Sequence, residues 1–324
     1  MVAPAFEYAA AGSYAEAVRL LAGRDEAKVL AGGQSLLPML NLRLARPDLL
    51  VDINDADQRA PSVSDGILRL PALTRHRVLA QHELVRGHCP LLADAVRYVG
   101  NVRVRGRGTV GGSLAHADPT SEIGCCALAT GATVTVLGSE GERTVPASEL
   151  FAGYWTTTLG DAEVITDVLI PVARPRQGWS FRELVRRTSD FAIVAVAAVV
   201  ELDVADTIAV ARVALAGVAD RVVLAGPEQL AGLTGTGLAG TGLAGTGLAG
   251  TGLAGTGLAG TGLAGTGLAD NGAGPAIDLA AAAVADILEP AADVHASAEY
   301  RRRMARVLTA HALREALGRA GEAA

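Results

Sequence analysis

The residues best suited to chemistry are two glycine clusters. Ala31-Gly32-Gly33-Gln34-Ser35 continues into Leu36-Leu37-Pro38 and lies where a short strand, Lys28 to Ala31, is read to end. Adjacent glycines permit positive φ and let a ligand reach the backbone with no Cβ in the way. Ser35 and the N–H groups around it can then take phosphate oxygens. An ordinary strand-to-helix turn uses the same residues, and the motif alone leaves both readings open. The second cluster runs Gly106-Arg107-Gly108-Thr109-Val110-Gly111-Gly112-Ser113-Leu114-Ala115-His116-Ala117-Asp118-Pro119. Its G-x-G-x-x-G formally matches a dinucleotide fingerprint. That match has little force, because Gly235 to Gly240 satisfies it too and the pattern recurs through a repeat beyond. Asn101-Val102-Arg103-Val104-Arg105 just upstream alternates with arginine, whereas a parallel Rossmann strand is a continuous apolar run. A better reading has two glycine loops about 75 residues apart, each at a strand end. Together they clamp one long phosphate-bearing cofactor between two small subdomains.

Other polar residues have plainer readings. His76, His82 and His88 recur every six residues, which suits neither a helical zinc pair nor an alternating strand, and solvated histidines are expected. His116 lies within the second cluster and has the better case for touching a cofactor or partner. Asp118 is read either as a binding residue or as the N-cap of a helix over Thr120 to Thr130. Cys125 and Cys126 fall inside that helix as small core residues. Arg103, Arg105 and Arg107 either decorate a solvated edge strand or pair with phosphates or a partner protein. No catalytic side chain and no metal site is assigned.

Stepping outward to the chain, 324 residues that are 50% hydrophobic suffice for two packed domains. With 28 Lys and Arg against 34 Asp and Glu, the net charge of −6 carries no general footprint for nucleic acid or an anionic membrane. Three cysteines, Cys89, Cys125 and Cys126, make no disulfide framework and cannot supply the four thiolates of an iron–sulfur cluster. The longest apolar run, Phe191 to Val200, is ten residues, about half a membrane span. Met1 to Arg19 shows no export signal, and the expected location is cytoplasmic.

The elements that must position the clusters alternate between helix and strand. Ser13 to Leu21 reads as a helix capped by Ser13. Strands are read at Lys28 to Ala31, Leu49 to Ile53, Gly66 to Pro71 and Glu163 to Pro171, with a hairpin of Thr133 to Leu137 and Arg143 to Val145. A helix is expected over His88 to Val99. The loop Ala173 to Gly178 marks a domain boundary. Beyond it come strand-like segments Phe181 to Arg187, Ala192 to Asp203 and Thr207 to Gly217, then helices Ile277 to Leu288 and Ala298 to Ala320. In the last helix Tyr300, Met304, Val307, Leu308 and His311 share a face. Between these lies an anomaly: Thr236 to Gly265 is six perfect copies of Thr-Gly-Leu-Ala-Gly, with a seventh ending at Asp270. Two glycines in five raise the entropy of ordering while one leucine per unit buries little, so a loosely packed insertion without chemistry is expected over residues 233–272.

The two clusters also carry a resemblance. Ala31-Gly-Gly-Gln-Ser-Leu-Leu-Pro38, followed by Asn41-Leu-Arg-Leu-Ala45 and Val51-Asp-Ile53, is similar to one half of a family pattern. Thr109-Val-Gly-Gly-Ser-Leu-Ala-His-Ala-Asp-Pro119 resembles the other, and His295-Ala-Ser-Ala-Glu-Tyr-Arg-Arg302 resembles its C-terminal part. The family is the FAD-binding medium subunit of molybdenum hydroxylases, of the aerobic carbon monoxide dehydrogenase type. The resemblance implies an α+β fold. An FAD-binding domain of the vanillyl-alcohol-oxidase and cell-wall-reductase type would span residues 1–174, in two subdomains split near 55–60. A smaller α+β domain would follow over 178–324. It implies FAD held at Ala31, Gly32, Gly33, Gln34 and Ser35 and at Thr109, Val110, Gly111, Gly112 and Ser113, chiefly through backbone N–H groups. Asp118, an acidic residue at Glu122 and an aromatic one at Phe191 complete the implied site. Gln34 stands where the family often has His, Ser113 where it often has Asn, and Phe191 where it often has Tyr. These departures touch fine tuning of the flavin and not the backbone donors. The implied oxidoreductase role is electron transfer from a small [2Fe-2S] subunit to an external acceptor, with oxidation of the substrate on a large molybdopterin subunit. A stand-alone FAD-dependent NAD(P)H reductase or oxidase is the alternative, and a non-catalytic scaffold a third.

Overall fold

A computed structural model of the chain describes residues 3–236 and 273–322. The pentapeptide repeat from Gly237 onward lies outside the described residues. The N-terminal portion holds β1 (Glu7–Ala10), α1 (Tyr14–Leu21), β2 (Ala27–Leu30), α2 (Leu36–Asn41) and β3 (Leu49–Asp52). The three strands form a parallel sheet in the order β1-β3-β2. Ser13 caps α1 by accepting from the Glu16 N–H, a contact worth about 1 kcal/mol. Ala17, Val18 and Leu21 then point into a small core with Leu49, Val51 and Ile53.

The next portion begins with β4 (Ser62–Ser64) and β5 (Ile67–Pro71). Six helices follow: α3 (His76–Leu79), α4 (Glu83–His88), α5 (Pro90–Ala95), α6 (Val102–Arg107), α7 (Val110–His116) and α8 (Glu122–Thr130). The hairpin β6 (Thr133–Gly138) and β7 (Gly141–Pro146), α9 (Ala147–Leu150), a small hairpin of β8 (Phe151–Gly153) and β9 (Thr156–Thr157), and β10 (Val164–Pro171) complete it. Its antiparallel sheet runs β4-β5-β10-β6-β7. The expected long helix from His88 is broken instead. Cys89 leaves helical geometry at φ −144°, and Pro90 starts α5, since a residue before proline is pushed to extended backbone.

The C-terminal portion comprises β11 (Gln177–Leu184), β12 (Val194–Leu202), β13 (Ile208–Ala216), β14 (Val223–Leu224), α10 (Pro227–Leu230), α11 (Gly274–Asp286) and α12 (Ala298–Glu322). Its antiparallel sheet follows chain order. Alternate residues of β12 divide two cores: Ala195, Ala197 and Val199 face α5 and α8, while Val194, Val196, Ala198 and Val200 face α11 and α12. Leu233 is fully buried, and the Gly235 N–H donates to Ile208 O, so residues 233–236 belong to this packed unit.

The last helix buries a face shifted from the one expected. Of the expected face, Met304 and Leu308 pack against the core while Tyr300, Val307 and His311 are exposed; Ala305, Ala312, Leu313, Ala316 and Ala320 are the buried ones. Small side chains let α12 approach the sheet so closely that a Cβ on Gly178 of β11 would collide with Ala316 O. Backbone proximity outweighs side-chain size in choosing the face.

Candidate functional site

The first glycine cluster forms the turn between β2 and α2. Gly33 sits at φ +71°, which favours glycine. Gln34 Nε2 donates to Gly32 O at 3.1 Å and folds back over the turn. Among the described residues, no protein acceptor meets the N–H groups of Gly32, Gly33, Gln34 or Ser35. Four consecutive unclaimed donors on partly open backbone form an anion-binding concavity. Ser35 is exposed and its hydroxyl makes no cap to α2, so it too is free.

The second cluster is built differently from the expected strand-end loop. Asn101 Oδ1 accepts from the N–H groups of Arg103 and Val104 at 2.9 and 3.2 Å and starts α6. The alternating arginines therefore lie on a helix, and the edge-strand reading is overturned because the Asn101 cap outweighs the two-residue pattern. Arg105 is spent internally, with Nη1 donating to Val99 O at 2.9 Å and Gly100 O at 2.6 Å. Thr109 then caps α7, its hydroxyl accepting from the Gly112 N–H. The Val110 N–H goes to Thr74 O, that of Gly111 to Ala72 O and that of Ser113 to Thr109 O. Of the five residues Thr109 to Ser113, only Thr109 keeps an unclaimed N–H among the described contacts. Gly111 owes its lack of a Cβ to Ala72, whose own Cβ would lie 2.5 Å away. Its glycine is a packing requirement.

The two segments touch. A Cβ on Gly32 would run into Arg107 O and lie 2.8 Å from Gly108 Cα, and one on Gly112 would lie 3.9 Å from the Ala31 Cβ. Two residues that sequence reasoning did not single out tie them together. Asn54 Nδ2 donates to Ala31 O at 2.9 Å, and its Oδ1 accepts from Arg75 Nη2 at 2.6 Å. Arg75 Nη1 reaches on to Arg107 O. His76 lies beneath and is only 2% exposed, which corrects the expectation of a solvated histidine. Its Nε2 stands 3.0 Å from both Thr109 O and Ser113 Oγ. A carbonyl only accepts, so Nε2 carries the proton. Nδ1 is left bare and unpartnered, packed where a Gly108 Cβ would come within 2.8 Å. Burial holds the ring neutral, with a pKa lowered to about 4.

The remaining expected residues lie around α8 and the C-terminal sheet. Asp118 is not the helix cap: it accepts from the Thr120 N–H at 2.8 Å and hydroxyl at 2.6 Å, while Ser121 caps α8. Glu122 opens α8, partly buried, and burial together with Asp118 raises its pKa to about 7. Glu183 near the end of β11 is pushed to about 8 by burial and by Glu122. Phe191 is 78% exposed in the turn between β11 and β12. That turn is anchored at Ile193 O by Arg301 Nη1 at 2.5 Å, and the same nitrogen donates to Gly217 O at 3.0 Å. The Gly217 N–H in turn donates to Pro119 O at 2.8 Å, tying the C-terminal sheet to the second cluster. An open groove of about 570 Å³ lies elsewhere, on the β5-β10-β6-β7 face. Its Arg59, Arg69 and Arg143 are already paired with Asp57, Asp167 and Glu163, so it offers no free cation.

The unclaimed donors and the second segment pressed on the first form two adjoining backbone loops suited to an anion. Comparison with known proteins gives the family. Residues 4–173 match the family described as the FAD binding domain in molybdopterin dehydrogenase. Residues 179–244 and 264–316 match the CO dehydrogenase flavoprotein C-terminal domain. The chain is 40% identical over 223 residues to the 6-hydroxypseudooxynicotine dehydrogenase complex subunit alpha of Paenarthrobacter nicotinovorans, covering 67% of this chain and 74% of that one. It is 38% identical over 222 residues to the carbon monoxide dehydrogenase medium chain of Hydrogenophaga pseudoflava, covering 68% and 77%. The structure of carbon monoxide dehydrogenase from that organism superposes with a TM-score of 0.85 at 33% identity, covering 98% of this chain and 99% of the other. Quinoline 2-oxidoreductase from Pseudomonas putida 86 gives 0.80 at 31% identity, covering 100% and 99%. This chain belongs to the FAD-binding medium-subunit family of the molybdenum hydroxylases, of the carbon monoxide dehydrogenase type. Its cofactor is FAD and its class is oxidoreductase.

Proposed function

We propose that this chain is the electron-transfer flavoprotein of a molybdenum hydroxylase, receiving electrons from a small [2Fe-2S] subunit and passing them to an external acceptor. Substrate oxidation then falls to a large molybdopterin subunit. The observation that carries the reading is the set of four unclaimed N–H groups from Gly32 to Ser35, in the turn that meets the Arg107 to Gly112 segment. They suit the diphosphate of FAD, whose ring accepts electrons in pairs and releases them singly or in pairs. Ala31 to Ser35 bind the phosphate oxygens, and Thr109 adds one donor from the second side. Val110, Gly111, Gly112 and Ser113 shape that side by packing and not by donation. Asp118, Glu122 and Phe191 stand at the flavin end. Three cysteines, all buried and unpaired, leave cluster chemistry to a partner and suit a reducing cytoplasm. The domain division we propose is 1–174, subdivided near 55–60, and 178–324.

Purification of the chain tests this directly. It should be yellow, and acid or heat should release the flavin into the supernatant, because no Cys or His lies within the first loop to attach it. Co-expression with the neighbouring reading frames should yield a complex with a cluster-bearing small subunit and a molybdopterin large subunit. Rapid reduction of the isolated chain by NADH would instead identify a stand-alone reductase.

A further inference from the structure

We propose that Arg75 fixes the spacing of the two cofactor loops and supplies positive charge that balances the cofactor's diphosphate. The inference rests on the FAD reading above and goes beyond it, to a residue outside both glycine clusters.

The geometry has two parts. First, Arg75 is a bridge. Its guanidinium spans from Arg107 O, next to Gly108, to Asn54 Oδ1, and Asn54 passes the connection to Ala31 O at 2.9 Å. Backbone on both sides of the clamp is therefore held by one planar fork. The contact of Gly32 with Arg107 and Gly108 depends on that spacing, since no side chain intervenes to set it. A planar, five-donor guanidinium can hold two acceptors at a fixed separation, which a lysine ammonium cannot.

Second, Arg75 is a cation with no carboxylate in salt-bridge contact. It is half-buried, and among the described residues neither it nor Arg77, Arg103 or Arg107 lies within 4 Å of a carboxylate. Burial, with Arg107 and Arg77 adding like charge, lowers the Arg75 pKa. The opposing influence is Asp52, whose carboxylate makes no salt bridge to Arg75 and accepts from the Tyr8 hydroxyl at 2.8 Å and Asn54 Nδ2 at 2.6 Å. Arg59, by contrast, is paired with Asp57 and Asp167. A cation kept without a carboxylate beside the clamp stabilises a polyanion that arrives there. The diphosphate of FAD has that charge.

The experiment titrates apo full-length chain with FAD, followed by quenching of flavin fluorescence at low and high salt, with ADP as a competitor that carries the diphosphate but no flavin. Arg75→Met should raise the Kd for FAD roughly ten- to hundredfold, the range for loss of charge-assisted bonds. It should raise the inhibition constant of ADP by a similar factor and flatten the salt dependence of both. Arg75→Lys keeps the charge and loses the fork, so it should retain the salt dependence while binding FAD more weakly than the native chain. If Arg75→Met folds and binds FAD with native affinity and salt dependence, the proposal is wrong. If Arg75→Met does not fold, Arg75→Lys decides: native affinity there refutes the bridge. A native chain that binds no FAD would refute the flavin reading itself, a separate outcome.

Discussion

Lowering the pH from 7 to 5 should destabilise the chain through His76, and the size follows from its burial. The ring is neutral in the fold with a pKa lowered from 6.5 to about 4. Between those values the unfolded chain binds a proton that the folded chain refuses, so stability falls as pH falls. The full contribution is present above pH 6.5 and is lost on the way down to about pH 4. Linkage gives a loss of about 2 kcal/mol between pH 7 and 5 and about 3 kcal/mol in all. The cost has a structural cause. A charged ring would need acceptors at both nitrogens, while Nδ1 faces Gly108 with no partner and Arg75 and Arg105 add like charge. Glu122 and Glu183 act with the opposite sign: raised to about 7 and about 8, they contribute most below pH 4.5 and less as pH rises. The assay must therefore be differential. Urea unfolding of the native chain and of His76→Gln, each at pH 7 and 5, isolates the histidine, because glutamine can still donate to Thr109 O and does not titrate. The native chain should lose about 2 kcal/mol more than the variant on acidification. Equal losses would refute the buried, neutral assignment.

Other perturbations follow from the same contacts. Gly32→Ala must push Arg107 and Gly108 back, so it should cost about 1–3 kcal/mol in a thermal melt and lower bound flavin, whereas Gly131→Ala meets no atom within 4 Å and strains only the local backbone. Arg301→Leu leaves Ile193 O and Gly217 O without their buried donor, so it should destabilise by about 3 kcal/mol or more and loosen the Phe191 turn, measured by hydrogen exchange. An unchanged exchange rate at Ile193, whose N–H donates to Leu184 O beside the turn, would contradict that link. Deleting residues 245–263, the stretch that the C-terminal family match passes over, should leave flavin content unchanged and shift stability by less than about 2 kcal/mol. A large fall in melting temperature would give the repeat a structural role.

Local signals in the sequence determined much of this protein. Ser13 is a cap, Gly33 takes positive φ, the hairpin at Gly138 to Gly141 is read from alternation and glycine, and the long strands beyond residue 177 are read from apolar runs. The two glycine clusters were legible as a pair because spacing and composition are properties of the chain. What the clusters do was decided by tertiary contacts. Hydrogen-bond bookkeeping separates them: the first keeps four free donors, while the second surrenders most of its own to Thr74, Ala72 and Thr109. No spacing rule reveals which carbonyl will claim an N–H. The arginines of residues 103–107 obey two-residue alternation yet lie on a helix, because Asn101 supplies the cap and Val104 finds a core to pack against. His76 looked like one of three evenly spaced histidines and became a buried prop only when the second segment folded over it. Arg75 and Asn54 had no signal at all, since a bridge between residues 31 and 107 exists only once both strands of chain are brought together. Burial and the sharing of hydrogen bonds depend on distant neighbours, and that is why only the fold could assign them.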